Sequence, residues 1–324
     1  MKNLITGITG QDGLFLTNHL LKKGSNQEIY GVSRLKKLDK FYNDLGYINS
    51  DLNLNNLHIS NVNLLNQKEI NQYIKDIEPD YIFNLSGPSS VYNSYKNPEK
   101  TISNIKTIFD NLINACVEQN NFCNFFQASS SEMFKESNEV LDETSSFGPI
   151  SPYAKAKYDV HIYLNDLRAK FDWNINSGIM FNHESEFRDD DYLFMKIINA
   201  AINIKHGKEK ELIIGSLDIK RDWSYAKDVV EAISLITEEK NGDDYVIGSG
   251  KGHSIKELVD TIFSYFNLNF ENYVIINEKL LRKGDPLKII SNPIKIKEDL
   301  GWGIQTSFED LILKCINYKL SKME

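Results

Sequence analysis

The segment that constrains this chain most is its beginning. Residues 2–8, KNLITGI, make a short apolar run that enters the turn Gly7-Ile-Thr-Gly10-Gln-Asp-Gly13. Residues 12–24 then carry Leu14, Leu16, Leu20 and Leu21 at helical spacing, and Lys22, Lys23 and Gly24 close that helix. A strand that feeds a glycine turn opening a helix is the setting a dinucleotide-binding loop requires. Glycines allow the tight turn and bring backbone close to a pyrophosphate, and the helix N-terminus offers N–H groups and a positive dipole end. The spacing here is GxxGxxG. The same alternation continues, with strands predicted at 28–34, 57–64, 80–87, 124–131 and 174–181 and helices at 67–79, 98–119 and 151–171. Strands and helices alternating at this spacing predict βαβ units, and so an α/β chain with a doubly wound parallel sheet covered on both faces. Beyond about residue 182 charged and irregular segments mix with helices and short strands, which predicts a smaller C-terminal substrate-binding lobe. No Pro/Gly-rich linker separates the two. We expect 1–181 to form the dinucleotide-binding domain, with segments from about 224–250 returning to it, and 182–324 to form mainly the substrate lobe.

Charge and cysteine use narrow the function. The 324 residues carry a net charge of −8, a poor match to nucleic acid, which needs clustered basic charge. No stretch approaches the roughly 20 apolar residues of a membrane span, and the N-terminus lacks the apolar core of a signal peptide. The three cysteines, Cys116, Cys123 and Cys315, are odd in number and include no CxxC. They predict buried thiols in a reducing cytoplasm. The six histidines, His19, His58, His161, His183, His206 and His253, show no ligand spacing, so no metal is expected.

Three further motifs carry chemistry. At the end of the second strand, where NAD sites usually place an acidic residue for the ribose 2′-hydroxyl, stand Ser33-Arg34 with Lys36 and Lys37 beyond. Arg can clasp a 2′-phosphate that a carboxylate would repel, which predicts NADP. Tyr153 and Lys157 form an i, i+4 pair on one helix face behind Pro152. A free tyrosine titrates near 10, and a lysine ammonium beside it favours the phenolate and makes a usable base. Ser129-Ser130-Ser131-Glu132 ends the strand before that helix. A hydroxyl there can hydrogen-bond a substrate oxygen, and the carboxylate supplies a second acid/base group.

Taken together, GITGQDG, SSSE and YAKAK resemble the extended short-chain dehydrogenase/reductases. The finer resemblance, through NFFQASSSEMF, SPYAKAK, GIMFNHES, LDIKRDWSYAKDVVEA, DDYVIGSGKGHSIKEL and DLGW, is to the GDP-mannose 4,6-dehydratases, and it spans essentially the whole chain. It implies a Rossmann-like fold and a catalytic set of Ser130, Glu132, Tyr153 and Lys157. It implies cofactor contacts at Gly7, Gly10, Gln11, Asp12, Gly13, Arg34, Asn61, Leu85, Ser86, His183 and Arg188, besides Tyr153 and Lys157. It implies nucleotide-sugar contacts at Ser89, Asn182, Lys196, Arg221 and Arg282, with Asn182-His183-Glu184-Ser185 closing over both ligands. A homodimer through helices 98–119 and 151–171, or a homotetramer, is implied as well. Three positions depart from the family: Leu35 follows Arg34 where a second arginine is usual, Asn61 or Asn63 stands where an Asp contacts adenine, and Glu186-Phe187-Arg188 replaces Pro-Arg-Arg.

The expected activity is therefore dehydration of GDP-mannose to its 4-keto-6-deoxy form with NADP as a recycling hydride carrier. Three alternatives stay open: a dehydratase of another GDP-sugar such as a GDP-heptose, an NADP-dependent reductase or epimerase of nucleotide sugars, and a cofactor-binding sensor without catalysis. Glu132 argues against the second, which has no need of a base for C5–H. The intact Ser130, Tyr153 and Lys157 set argues against the third.

Overall fold

A computed structural model describes residues 1–35, 37–281 and 284–323. The first half runs β1 (Lys2–Thr6), α1 (Gln11–Lys22), β2 (Glu28–Val32), α2 (Asp39–Ile48), β3 (Leu57–Ser60), α3 (Gln67–Ile77) and β4 (Tyr81–Asn84). It continues with α4 (Val91–Lys96), α5 (Pro98–Glu118), β5 (Asn124–Ser130), α6 (Pro152–Phe171) and β6 (Ile175–Met180). The second half holds β7 (Asn182–Glu184), α7 (Leu193–Lys205), β8 (Leu212–Ile214), β9 (Lys220–Arg221), β10 (Trp223–Tyr225), α8 (Ala226–Glu238) and β11 (Asp244–Ile247). It closes with β12 (His253–Ser254), α9 (Ile255–Tyr265), β13 (Val274–Ile276), β14 (Lys288–Ile289), α10 (Ile294–Leu300) and α11 (Phe308–Ser321).

Seven parallel strands form the main sheet in the order β11-β6-β5-β4-β1-β2-β3. Successive side chains on a strand point to opposite faces. Leu4 and Phe125 therefore enter the core under α5 and α6, while Ile5 and Phe126 enter the one under α1 and α8. The second of these cores continues into the C-terminal half through Phe194, Trp223, Phe263 and Phe308. The strand order reverses between β1 and β4, and in open α/β sheets the crevice at such a switch point is where ligands bind.

Several elements differ from their predicted bounds. The strands end one to four residues early at their carboxyl ends, as in β1 at Thr6, β3 at Ser60 and β5 at Ser130, because the residues beyond leave the ladder to build loops over the crevice. Helix α2 was not expected. It buries only Phe41, Asp44 and Leu45, too few positions to make a visible helical stripe. Gly24 follows the end of α1 with φ +133°, and the capping residue itself is Lys23.

Two carboxylates in the KRDWSYAKD segment hold the second half together. Buried Asp222 accepts from the backbone N–H groups of Ser249, Gly250 and Ser291 at 2.8, 3.0 and 3.1 Å. Asp228 accepts from the N–H groups of Gln305 and Thr306 at 3.0 and 2.8 Å, and its carbonyl takes the Trp302 indole N–H. Among the described residues no helix is long and apolar enough to cross a membrane.

Candidate active site

The glycine loop lies at the switch point. Gly7 has φ +74°, and a Cβ there would stand 3.0 Å from the Leu85 carbonyl oxygen. Leu85 and Ser86 follow β4, so the two flanks of the crevice nearly touch. Gly10 caps α1 without a side-chain hydrogen bond, which leaves the first N–H groups of α1, those of Gln11, Asp12 and Gly13, to a ligand. A Cβ on Gly13 would stand 2.5 Å from both the Gly7 oxygen and the Ile8 Cα, so only glycine lets α1 pack this close. A backbone cradle with no side chain in it, ahead of an uncapped helix N-terminus, fits a pyrophosphate and hence a dinucleotide. Ser33 is buried with its hydroxyl 3.4 Å from that of Thr9, while Arg34 is exposed at the end of β2. Asn61 is exposed just past β3.

Beneath the crevice a buried polar chain crosses three strands. Thr6 donates to the Asn84 side-chain oxygen at 2.9 Å, Asn84 to Gln127 at 2.8 Å, and Gln127 to the Ala128 carbonyl at 2.9 Å. Lys157 Nζ donates to the same carbonyl at 2.7 Å. Helix α6 starts with Ser151 accepting from the Ala154 N–H at 3.0 Å and Pro152 in its first turn. That start aims Tyr153 and Lys157 at the carboxyl end of β5, where Ser130 is a hydrogen-bond partner of the Tyr153 hydroxyl. The Ser130 hydroxyl also accepts from the Glu132 N–H at 3.3 Å. Glu132 lines the adjoining cleft with Tyr95, Phe134, Ile150 and Asp285. Ser129 turns away into a buried network with His161 and Ser177, at 3.1 and 3.0 Å, so the neighbouring serines have separate surroundings.

Burial pushes the Tyr153 hydroxyl up to about 12, outweighing the Ser130 hydrogen bond that lowers it, and Glu132 adds to the rise. Burial also pulls Lys157 down to about 8. Its ammonium lies 5.9 Å from the centre of the Tyr153 ring and is engaged by the Ala128 carbonyl. In the free chain burial thus opposes the phenolate, and the lysine ammonium is held by the carbonyl of β5.

Strand β7 folds over the glycine loop. Gln11 donates to the His183 carbonyl at 3.2 Å and accepts from the Ser185 hydroxyl at 2.7 Å. His183 Nε2 stands 3.1 Å from Asp12 and its Nδ1 2.8 Å from the Phe181 carbonyl. Burial alone would lower His183, but the Asp12 carboxylate holds it above its ordinary value; burial alone would raise Asp12, but His183 and Arg188 hold it below. Arg188 Nε is 2.9 Å from Glu184, an ion pair without hydrogen-bond alignment, and its guanidinium stacks 3.7 Å over the Tyr192 ring.

The positions implied for the nucleotide sugar are more dispersed. Ser89 shares a 2.7 Å hydrogen bond with Tyr192, and Asn182 accepts from Ser224 through its carbonyl at 3.4 Å. Lys196, exposed on α7, donates to the Ile213 carbonyl at 3.3 Å. Arg221 pairs with Asp285 at 2.6 Å and donates to the Pro286 carbonyl at 2.9 Å. Arg282 lies outside the described residues. The three cysteines are buried free thiols. Among the described residues no cluster of His, Cys, Asp or Glu is arranged to hold a metal. Sequence reasoning missed Tyr192 and the Asn84–Gln127 chain, whose partners meet only in the folded sheet.

The family model for GDP-mannose 4,6 dehydratase matches residues 4–315. GDP-mannose 4,6 dehydratase 2 of Arabidopsis thaliana is 34% identical, over 98% of this chain and 86% of its own length. The human GDP-mannose 4,6 dehydratase is 29% identical over 99% of this chain and 91% of its own. Among solved structures, Pal from Bacillus thuringiensis superposes with a TM-score of 0.88 at 20% identity, over 99% of this chain and 100% of that one. A UDP-glucose 4-epimerase from Thermotoga maritima, solved with UDP-glucose, gives 0.85 at 22% identity over all of both chains. These two likenesses concern the fold, and the family follows from the sequence relatives and the matched model: the chain belongs to the GDP-mannose 4,6-dehydratase family of hydro-lyases.

Proposed function

We propose that this protein is a cytoplasmic nucleotide-sugar 4,6-dehydratase that converts GDP-mannose to GDP-4-keto-6-deoxy-mannose with tightly bound NADP. The observation that carries the reading is the meeting of Ser130, Glu132, Tyr153 and Lys157 at the carboxyl end of β5, beside the glycine cradle. When bound, the oxidised nicotinamide supplies reversible hydride storage and a positive charge in the site, so the net reaction is loss of water without net redox. Lys157 adds its charge to draw Tyr153 down from about 12, and Tyr153 takes the C4 hydroxyl proton. Ser130 hydrogen-bonds the C4 oxygen. The ketone so formed acidifies C5–H, and Glu132 removes that proton and passes it to the C6 hydroxyl, which leaves as water; the stored hydride would then return to C6, and C5 would be reprotonated with the proton Tyr153 took from the C4 hydroxyl. The His183–Asp12 contact ties strand β7 to the glycine loop. Residues 1–181 with the 224–250 return form the cofactor domain in this reading, and 182–324 mainly the sugar lobe. A homodimer or homotetramer is part of the proposal: α6 leaves Ile162 and Tyr163 exposed beside α5.

Incubation with GDP-mannose followed by mass spectrometry tests the reading. Loss of one water from the sugar is expected. Unchanged mass, or an isomer of unchanged mass, would overturn it, and water loss from a GDP-heptose alone would change the substrate and keep the chemistry.

NADP in preference to NAD rests on Arg34. Solved neighbours of the fold, such as the Thermus thermophilus UDP-glucose 4-epimerase, are described with NAD, whereas here an arginine stands two residues past the end of β2. A charge-assisted contact contributes about 1.5–3 kcal/mol, roughly ten- to a hundredfold in affinity. Arg34→Ala should lose most of the preference for NADP in a titration of both cofactors. Equal binding of the two by the parent protein would contradict the assignment.

A further inference from the structure

We propose that Tyr192 is a sugar-positioning residue whose hydroxyl, paired with that of Ser89, reads the hexose of the nucleotide sugar; the proposal rests on the function proposed above. Ser89 belongs to the loop between β4 and α4, and Tyr192 is the residue that caps α7, so the pair ties the loop after β4 to the start of α7. Their hydroxyl oxygens are 2.7 Å apart. The Arg188 guanidinium carbon lies 3.7 Å from the centre of the Tyr192 ring, Arg188 pairs with buried Glu184, and Glu184 adjoins His183, which contacts Asp12. The phenol is thus set by a continuous series of contacts that begins at the cofactor loop. Tyr192 and Arg188 both act electrostatically on Tyr153, which places them near the group that handles the C4 proton.

The chemistry of the pair selects its ligand. Each hydroxyl has one donor and two acceptor sites. Their mutual bond uses one donor and one acceptor, and the remaining sites suit a group that both donates and accepts. A pyrophosphate only accepts and is served better by a cation. Hexose hydroxyls donate and accept, and those on C4 and C6 are engaged in the reaction, so C2 and C3 are left for Ser89 and Tyr192.

Tyr192→Phe removes the hydroxyl and keeps the ring under Arg188. Equilibrium binding of GDP-mannose and of GDP to the full chain, with KM and kcat beside it, tests the proposal. Affinity for GDP-mannose should fall and KM rise by roughly three- to tenfold, the worth of one uncharged hydrogen bond, while GDP binding and kcat stay as in the parent. GDP-mannose lacking the C2 or the C3 hydroxyl should reproduce the loss with the parent, and at least one of the two should show no further loss with the variant. An equal loss for GDP and GDP-mannose would make Tyr192 merely structural. A gain in affinity would make the bridge a lid that substrate has to break. Either result overturns the proposal, as does unchanged binding. A parent protein that binds no GDP-mannose would instead overturn the underlying reading of function, and this inference with it.

Discussion

Tyr153→Phe should lower turnover of GDP-mannose by roughly 10²–10⁴-fold, the usual contribution of a general acid–base group. The ring is buried in the core beneath α5 and α6 and stays filled by Phe. The variant loses the hydroxyl and the Ser130 hydrogen bond, and Ser130 retains the Glu132 N–H. Melting temperature should therefore change little while chemistry stops at its first proton transfer, and the near-ultraviolet absorbance of bound cofactor should not rise on adding substrate. Turnover within a few fold of the parent would show that another group takes the C4 proton. The pH profile carries a related expectation. Because burial holds the phenol near 12 in the free protein, activity near neutrality depends on the cations around it, and Lys157→Met should move the rising limb of the profile to higher pH.

Gly13→Ala has the second large effect, and here the cause is backbone geometry. The added carbon would meet the Gly7 oxygen, the Ile8 Cα and the Ile8 oxygen at 2.5, 2.5 and 2.6 Å. All three are main-chain atoms that cannot swing aside, so α1 must move from the loop. Overpacking of this kind costs about 1–3 kcal/mol. The same shift moves the α1 N-terminus from the cradle, so dinucleotide affinity should fall by roughly tenfold or more, if the loss is of similar size. Calorimetric titration and thermal melting read both. Gly46→Ala on α2 is the matched control, since nothing lies within 4 Å of its added carbon, and it should be neutral or slightly stabilising. Equal behaviour of the two variants would remove the packing argument for the glycine loop.

The parts of the site legible in the sequence are those set by short-range spacing. Gly7, Gly10 and Gly13 lie within one turn. Tyr153 and Lys157 share a helix face, and Ser130 and Glu132 share a strand end, so local geometry suffices to bring each group together. The alternation of apolar strands with amphipathic helices likewise specifies a parallel sheet, because strands buried on both faces must be apolar throughout. Helix α2 was hidden because it buries a single narrow edge. The Ser89–Tyr192 bridge was hidden because its partners are 103 positions apart and meet only through the docking of β7 on the glycine loop. The surroundings of Lys157 were hidden for a related reason: i, i+4 spacing brings it alongside Tyr153, but the Ala128 carbonyl that its ammonium meets is supplied by β5.

In the proposed reaction Tyr153 and Glu132 move different protons, one from the C4 hydroxyl and one from C5. A single-turnover experiment with Glu132→Gln measures this most directly. The amide keeps the size of the side chain and removes the base. On mixing with GDP-mannose the near-ultraviolet absorbance of bound cofactor should rise and persist. The quenched sugar should have lost a hydrogen pair at C4 and kept its C6 oxygen, with water loss slowed by roughly 10²–10⁴-fold. If the variant instead releases the 4-keto-6-deoxy sugar within a few fold of the parent rate, Glu132 is not the C5 base and the dehydration mechanism drawn on this site is wrong.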